Sequence, residues 1–480
     1  MLHSAHLYSL TGFFIFMLAI ALWARRKVNS AEDFIIAGRQ LSMPLLVGTL
    51  IATWFGAGSL SVSADTIFQQ GLQMTALEPL GLGFCLIFAG CFYARRIWHL
   101  QALTLADIIR HKFGPLAEKL EVMINLAYLG WIATQLLALG HIIELVFGFD
   151  ATTSILFVTL ILTAYTLLGG IWSVTLTDIV QVSLLVIGLL ILCINILDTL
   201  VGGAGSLSGM QTVLSDAQTT SGGLIPTENL EEFRYWLSLF ILGSLGNIAS
   251  QDLTQRILAA KTPTIAVRSC LVSGLIYLVI GSIPVIIGLA GRLLISDPVA
   301  QGIIPLLAEN YLSPWLSVIF MLAMTAAITS SVDSAMLAPA SIFSKNLLAY
   351  YFADKVSALT LTRLAVIAVA CASAALAMTG TQAIDLLQSA YTLGLTPFVI
   401  LTFALYQKQT YTLPAVLAML LGLLLWFHHI VDLLMPGRLF ALPFADIPLP
   451  LSVLGLTLTT YILVHLIMKW RGCQYYQSQH

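Results

Sequence analysis

The feature that most constrains this chain is a series of apolar segments, each long enough to cross a lipid bilayer. A transmembrane helix needs about 20 predominantly apolar residues. Charged residues make up only 9% of the 480 residues, against about 25% in soluble domains. The chain is therefore predicted to be an all-α polytopic membrane protein with 13 transmembrane helices, at residues 7–24, 44–70, 73–94, 117–147, 152–168, 173–200, 232–259, 265–291, 313–345, 360–379, 383–406, 411–433 and 449–469.

The distribution of basic residues tests this span count, because cytoplasmic loops carry an excess of Lys and Arg. With the N-terminus outside, eighteen of the 21 basic residues fall on the inner face, and they include Arg256 at the end of the seventh span. Only Arg234, Arg292 and Arg438 remain outside. One span more or fewer would mix the two groups. The sequence thus predicts a multi-pass protein of the plasma (inner) membrane, with its N-terminus outside and its C-terminus cytoplasmic.

Two of the predicted spans contain glycine-rich interruptions. The first is ATWFGAG at 52–58 in the second span, and the other is LGSLGNIAS at 242–250 in the seventh. Irregular backbone at membrane depth is tolerated where it lines a cavity or is covered by protein. Broken helices of this kind form the central sites of secondary transporters. The alternative is a close contact between helices through small residues.

The two interruptions lie five spans apart, so the segments that contain them cross the membrane in opposite directions. Such a pair indicates inverted repeats. We predict one repeat at residues 44–200 and the other at 232–406, joined by an extracellular loop at 201–231. Residues 1–43 then form a peripheral helix and loop, and residues 407–480 form two peripheral helices and a tail.

Hydroxyl groups and a carboxylate cluster in the ninth span, where SSVDS occupies 330–334. Ala327, Ser330, Ser331 and Ser334 fall near one face of a helix, because they are three or four residues apart. Oxygen ligands of this kind suit Na⁺ rather than a transition metal. The alternative for each serine is a hydrogen bond to a carbonyl of the preceding helical turn.

Ionisable and aromatic residues in other spans are further candidates. Asp178, in the sixth span, is either a functional group or an anchor at the helix end. Glu78, in the third span, either faces a cationic substrate or lies hydrated near the surface. Trp54, in the first interruption, and Trp131, in the fourth span, either hold an ammonium group against their π faces or serve packing and interfacial roles.

Together these stretches resemble the sodium/solute symporter family. The resemblance covers about residues 30 to 410 and is carried by AGR at 37–39, ATWFGAG at 52–58, GGIWSV at 169–174, TDIVQ at 177–181, QRILAA at 255–260, SSVDS at 330–334 and SIF at 341–343. It implies a LeuT-type fold, built as a 5+5 inverted repeat with two broken helices, and a Na⁺-coupled transporter rather than an enzyme. It also implies a sodium site at Ala52, Phe55, Ala327, Ser330 and Ser331. In some members a second sodium site would map onto Asp178, Ser330, Asp333 and Ser334.

Within this family the motifs look most like the high-affinity choline transporter branch, which surrounds a quaternary ammonium with tryptophans. The resemblance maps two of these onto Trp54 and Trp131, and Ser250 stands in place of the third. The candidate substrate site comprises Trp54, Gly58, Glu78, Trp131, Asn247 and Ser250.

Choline or a related quaternary ammonium is the first expectation for the substrate. Proline, another amino acid or a small carboxylate is the alternative, and a membrane-embedded sensor with the same fold is a remote one. The expected partners are a small solute, Na⁺ and the lipid bilayer, with no nucleic acid.

Overall fold

The computed structural model describes residues 2–220, 223–227, 229–295, 302–379, 383–434 and 447–476. Regular structure in these ranges is helical, with an isolated bridge between Leu41 and Ala260. Ten helices in the described ranges are long and apolar enough to cross a membrane, or up to eleven if the bent pair at residues 43–70 is one span. The prediction of an all-α polytopic protein is confirmed. Arg438, which the charge count placed outside, lies beyond the described residues.

The N-terminal half of the chain consists of ten helices. They are α1 Leu2–Ala24, α2 Ala31–Ile36, α3 Met43–Trp54, α4 Ser63–Gln70, α5 Leu82–Phe88, α6 Ala94–His99, α7 Leu105–Phe113, α8 Pro115–Ile124, α9 Tyr128–Phe147 and α10 Ala151–Leu200. A short π-helical segment joins α5 to α6 within one apolar span. Helices α8 and α9 together form another.

The rest of the described chain contains eleven further helices. They are α11 Ser206–Thr220, α12 Leu230–Gly246, α13 Gln251–Ala259, α14 Pro263–Leu294, α15 Ile303–Tyr311, α16 Pro314–Phe343, α17 Ala349–Phe352, α18 Ala358–Ala377, α19 Ala383–Tyr406, α20 Thr412–Leu434 and α21 Leu449–Trp470.

Both glycine-rich interruptions break a helix where the sequence predicted. Helix α3 ends at Trp54, and the helix that resumes at Gly58 is bent by 64° from it. Helix α12 ends at Gly246, and α13 begins at Gln251 after a short irregular stretch. The Ser250 side chain accepts a hydrogen bond from the Leu253 N–H, which caps the new helix. Each break leaves backbone groups free for other partners.

Helix α10 contains a third break, at Gly170. Its backbone has φ +51° and ψ −138°, a conformation that L side chains rarely adopt. A Cβ at Gly170 would also lie 2.4 Å from the Phe34 carbonyl oxygen. Beyond the break α10 packs closely along α16, where a Cβ on Gly188 would lie 2.2 Å from the Ala323 Cβ. This contact brings the segment that contains Asp178 alongside the serine-rich helix.

A polar network ties the short helix α7 to the end of α16. Asp107 completes a capping box with Thr104 at the start of α7. The Lys345 ammonium pairs with the Asp107 carboxylate, and the Asn346 side-chain amide donates to it at 2.9 Å. Burial alone would raise the pKa of Asp107, but Lys345, Asn346 and the backbone N–H of Leu103 outweigh burial and lower it.

Replacing Asp107 with asparagine is expected to destabilise the fold by about 1–3 kcal/mol at neutral pH, because charged hydrogen-bond partners are lost. A lowered pKa means that this stabilisation is present above the unfolded value near pH ~4 and is lost as the pH falls through the folded value. The melting temperatures of wild type and Asp107→Asn should therefore differ at pH 7 and converge in acid. Asp354→Asn, at an exposed position, is the control. An equal difference at both pH values would contradict this account.

Candidate functional site

The first predicted cation cluster forms where the broken helix α3 meets α16. The Ser330 and Ser331 hydroxyls both donate to the Ala52 carbonyl oxygen, at 2.9 and 3.3 Å. They also lie 2.8 and 3.4 Å from the Ala327 carbonyl oxygen. All four residues are buried. The structure thus brings together four of the five predicted residues, with oxygen atoms from two helices.

The fifth residue, Phe55, lies at the break itself. Its backbone leaves the helical conformation, with φ −95° and ψ 67°, and its ring packs against Tyr277 with centroids 5.5 Å apart. The next residue, Gly56, approaches α16 so closely that a Cβ there would lie 2.5 Å from the Ser331 hydroxyl oxygen. A side chain at position 56 would therefore push the broken backbone away from the serines.

The chemistry of this oxygen cluster suits a Na⁺ ion. Hard cations take carbonyl, hydroxyl and carboxylate oxygens as ligands. The Ala52 and Ala327 carbonyls and the two serine hydroxyls already converge within hydrogen-bonding distance of one another. A bound ion would replace the serine protons as the partner of these carbonyl oxygens. The donor set therefore fits a monovalent hard cation.

The residues predicted for a second cation site form a different network. The Thr49 hydroxyl donates to Asp178 Oδ2 at 2.5 Å. The Arg256 guanidinium donates to the Ser334 hydroxyl at 2.7 Å, and its Nη2 lies 4.0 Å from Asp178 Oδ2. Asp333 is one residue away and accepts from the Ser334 backbone N–H at 2.7 Å. Ser330, also predicted here, bonds within the first cluster instead.

Arg256 lies in this second network, a contact that the sequence analysis does not predict. The charge count uses it only as a basic residue of the inner face, and the structure buries its side chain, which is 1% exposed, beside Asp178 and Ser334. Its position within the motif QRILAA, next to the second interruption, was the available signal, because a buried arginine requires partners.

Three of the predicted substrate residues line one small cavity of about 40 Å³, between α8, α9, the second break and α19. They are Trp131, Asn247 and Ser250. Close packing shapes this cavity, because a Cβ on Gly394 of α19 would lie 2.0 Å from the Gly246 carbonyl oxygen. The remaining lining residues are Glu121, Ile124, Asn125, Ala127, Tyr128, Gly246, Ala249, Ala390, Tyr391, Gly394 and Pro397.

Glu121 and Asn125 are lining residues that the sequence analysis missed. The Asn125 side-chain amide donates to Glu121 Oε1 at 2.8 Å. Glu121 Oε2 and Asn125 Oδ1 are buried and have no hydrogen-bond partner within the part of the chain that the structure describes. Buried acceptors of this kind call for a donor or a cation. An acidic residue inside the apolar fourth span was the signal in the sequence.

Trp54 reaches this cavity indirectly. Its indole Nε1 donates to Asp252 Oδ2 at 2.6 Å, and the Tyr128 hydroxyl donates to Asp252 Oδ1 at 2.5 Å. The Tyr128 ring lies edge-to-face with Trp131, with centroids 5.7 Å apart. Asp252 therefore joins the first break to the aromatic wall of the cavity.

The last two predicted substrate residues, Gly58 and Glu78, are not among the cavity-lining residues. Gly58 begins the helical turn after the first break. Glu78 is 4% exposed and lies in a segment that packs against α12, where a Cβ on Gly243 would lie 2.6 Å from the Leu77 carbonyl oxygen. Glu121, and not Glu78, is therefore the carboxylate among the described residues that line the cavity.

Comparison with known proteins identifies the family to which this chain belongs. Residues 34–422 match the model of the "Sodium:solute symporter family". The chain belongs to this family. This match confirms the resemblance carried by the motifs. Na⁺ is the coupling ion of sodium:solute symporters.

Two relatives of this symporter-family chain are high-affinity choline transporters. "High-affinity choline transporter 1" of Drosophila melanogaster is 29% identical over 404 residues, which are 79% of this chain and 63% of the relative. "High affinity choline transporter 1" of Homo sapiens is 28% identical over 378 residues, which are 74% of this chain and 64% of the relative. The chain thus spans less than two thirds of the length of either one.

A solved structure shows the same fold as this chain. A Na⁺-coupled sialic acid symporter, in a substrate-bound outward-open state, superposes with a TM-score of 0.80 at 17% sequence identity. The alignment covers 98% of this chain and 99% of the other. This similarity, together with the two broken helices, supports the LeuT-type fold implied by the motifs.

Proposed function

We propose that the chain is a Na⁺-coupled secondary active symporter that imports a small organic cation, with choline or a related quaternary ammonium as the first candidate. The observation that carries the substrate class is the cavity, where the Glu121 carboxylate lies with the rings of Tyr128 and Trp131. A carboxylate supplies the charge that balances an ammonium group, and aromatic faces attract it. The similarity to choline transporters supports the same substrate class.

The ion site of this proposal consists of Ala52, Phe55, Ala327, Ser330 and Ser331. Its support is the convergence of the two serine hydroxyls on two carbonyl oxygens at the break of α3. These ligands carry no formal charge, so they select a cation that sheds its hydration shell at low cost. A divalent cation would require carboxylate ligands.

Ion and substrate are coupled through the last turn of α3. Ala52 contacts the serines of α16, and Trp54, two residues later, donates to Asp252. Asp252 in turn accepts from Tyr128 at the cavity wall. Na⁺ at the serines fixes the end of α3, which holds Trp54, Asp252 and Tyr128 in the arrangement that the substrate contacts. By linkage, the substrate then raises the affinity for Na⁺ by the same factor.

A zwitterionic substrate is the second candidate. Asn247 lines the cavity, and its Nδ2 donor has no hydrogen-bond partner among the described residues. Ser250, in place of a third tryptophan, adds a hydroxyl at the same wall. These donors favour a carboxylate-bearing solute such as proline, another amino acid or a small carboxylate.

For the membrane topology we propose 13 spans. Helix α10 has 50 residues, which correspond to about 75 Å at 1.5 Å per residue, against a hydrocarbon core of about 30 Å. Counting α10 as two spans that meet at Gly170, and α12 with α13 as a second broken span, raises eleven to thirteen. The breaks at residues 55–57 and 247–250 then occupy corresponding places in the inverted repeats 44–200 and 232–406. Basic residues favour a plasma-membrane protein with its N-terminus outside.

Thermal stability with a panel of solutes tests the substrate class, because a ligand that binds the native state raises the melting temperature. The purified full chain is heated in Na⁺ or in K⁺ with choline, betaine or proline. We expect choline to raise the melting temperature in Na⁺ and to have less effect in K⁺, and proline to have none. Betaine, which carries a carboxylate as well as a quaternary ammonium, should raise the melting temperature less than choline. Stabilisation by proline alone would reject the cation and favour the zwitterion.

A further inference from the structure

The Arg256 side chain is surrounded by hydrogen-bond acceptors deep in the fold. Its Nε donates to the Thr49 hydroxyl at 3.1 Å, and its two terminal nitrogens donate to the Ser334 hydroxyl at 2.7 Å and to the Asp252 carbonyl at 3.1 Å. Asp178 Oδ2 lies 4.0 Å from Nη2. The Arg256 side chain is among the largest that are completely buried in the described part of the chain. Its charge is therefore held in a fixed position between α3, α10 and α16.

One of these acceptors, the Ser334 hydroxyl, and the nearby Asp178 carboxylate belong to the group of atoms that a second Na⁺ would need. The motif resemblance assigned that ion to Asp178, Ser330, Asp333 and Ser334. The Ser334 hydroxyl, however, already accepts from Arg256, and Ser330 bonds to Ala52 and Ala327. A cation placed among these oxygens would lie next to a guanidinium and would be repelled by it. The residues present do not fit a second Na⁺ ion.

We propose that Arg256 permanently supplies the positive charge that a second Na⁺ would otherwise bring, so that this transporter binds and couples to a single Na⁺. This inference rests on the proposed Na⁺-coupled symport. It concerns how many Na⁺ ions the protein binds, and not whether Na⁺ drives transport. Arg256 acts here as a positioning residue, because its charge sets how many cations the neighbouring oxygens accept.

Equilibrium binding of radioactive Na⁺ to the purified full chain tests the proposal without relying on transport. The wild type is expected to bind one Na⁺ per chain, with a Hill coefficient of one. Two Na⁺ per chain would overturn the proposal. Binding of no Na⁺ would instead overturn the proposed symport itself, so the two failures are distinguishable.

Variants of the arginine test the cause. Arg256→Gln removes the positive charge beside Asp178 and Asp333, whose Oδ1 and Oδ2 atoms, respectively, have no hydrogen-bond partner within the described residues of the wild type. We expect this variant to bind a second Na⁺, whereas Arg256→Lys, which keeps the charge, should bind one. An Arg256→Gln variant that folds and binds one Na⁺ would contradict the proposal.

A double variant covers the case in which Arg256→Gln does not fold. Breaking a buried ion pair by removing one partner is far more disruptive than removing both. Asp178→Asn with Arg256→Gln should therefore recover the folded protein and bind one Na⁺, because it removes a carboxylate ligand of the second site together with the positive charge. Two bound Na⁺ in this double variant would overturn the proposal, as would failure of the double variant to fold better than Arg256→Gln.

Discussion

Replacing both Ser330 and Ser331 with alanine is expected to abolish the Na⁺ dependence of uptake. Each single replacement should weaken this dependence. Removing one oxygen from a buried polar cluster costs about 1–3 kcal/mol, which corresponds to a loss of roughly 5- to 150-fold in Na⁺ affinity. Ser330→Ala should lose more Na⁺ affinity than Ser331→Ala. The Ser330 hydroxyl lies 2.9 and 2.8 Å from the two carbonyl oxygens, whereas the Ser331 hydroxyl lies 3.3 and 3.4 Å from them.

Na⁺ titration of both the uptake rate and the melting temperature measures this loss. Thr325→Val is a matched control on the same helix, because the Thr325 hydroxyl donates to the Met321 carbonyl of its own helix, at 2.9 Å. It should leave the Na⁺ dependence unchanged. Wild-type Na⁺ dependence in the double serine variant would show that the ion binds elsewhere.

Neutralising Glu121 is expected to have the second large effect. If the substrate is an ammonium ion in the cavity, Glu121→Gln removes the negative charge of the carboxylate that lines it. A buried pair of opposite charges at close range contributes about 2–4 kcal/mol at an intermediate dielectric, so choline binding should weaken by roughly 30- to 800-fold. Trp131→Leu should lower the choline affinity about 30-fold, because the cation–π contact is lost. Trp131→Phe keeps a π face and should lower the affinity less.

Glu78→Gln is the matched control for Glu121→Gln. Both positions carry buried carboxylates in apolar spans, but only Glu121 lines the cavity. Competition by choline against radiolabelled choline gives the affinity of each variant. We expect a small change for Glu78→Gln. A larger loss for Glu78→Gln than for Glu121→Gln would move the substrate to the carboxylate that the sequence alone suggested.

The broken helices and the serine cluster could be predicted from local sequence. Glycine at positions 56 and 246 weakens a helix at membrane depth, whatever surrounds it. The spacing of Ala327, Ser330 and Ser331 places them on one helical face, and the motif resemblance related them to Ala52. These features depend on residues close together in the chain or on a short motif.

The cavity and the second network could not be predicted in this way, because they depend on contacts between distant segments. Arg256 meets Thr49 across 207 positions of sequence, and Trp54 meets Asp252 across 198. Charge counting treats an arginine as exposed unless its partner is known. In the same way, Glu78 and Glu121 are alike as acidic residues in apolar spans, and only the packing of α8, α9 and α19 distinguishes them.

Uptake of radiolabelled choline into proteoliposomes is the most direct test of Na⁺-coupled transport. The full chain is reconstituted and given an inward Na⁺ gradient, with an equal K⁺ gradient as the control. The account predicts that choline accumulates above its external concentration only with Na⁺, and that the Ser330→Ala, Ser331→Ala double variant does not accumulate it. Equal uptake in Na⁺ and K⁺, or unimpaired accumulation by the double variant, would contradict it.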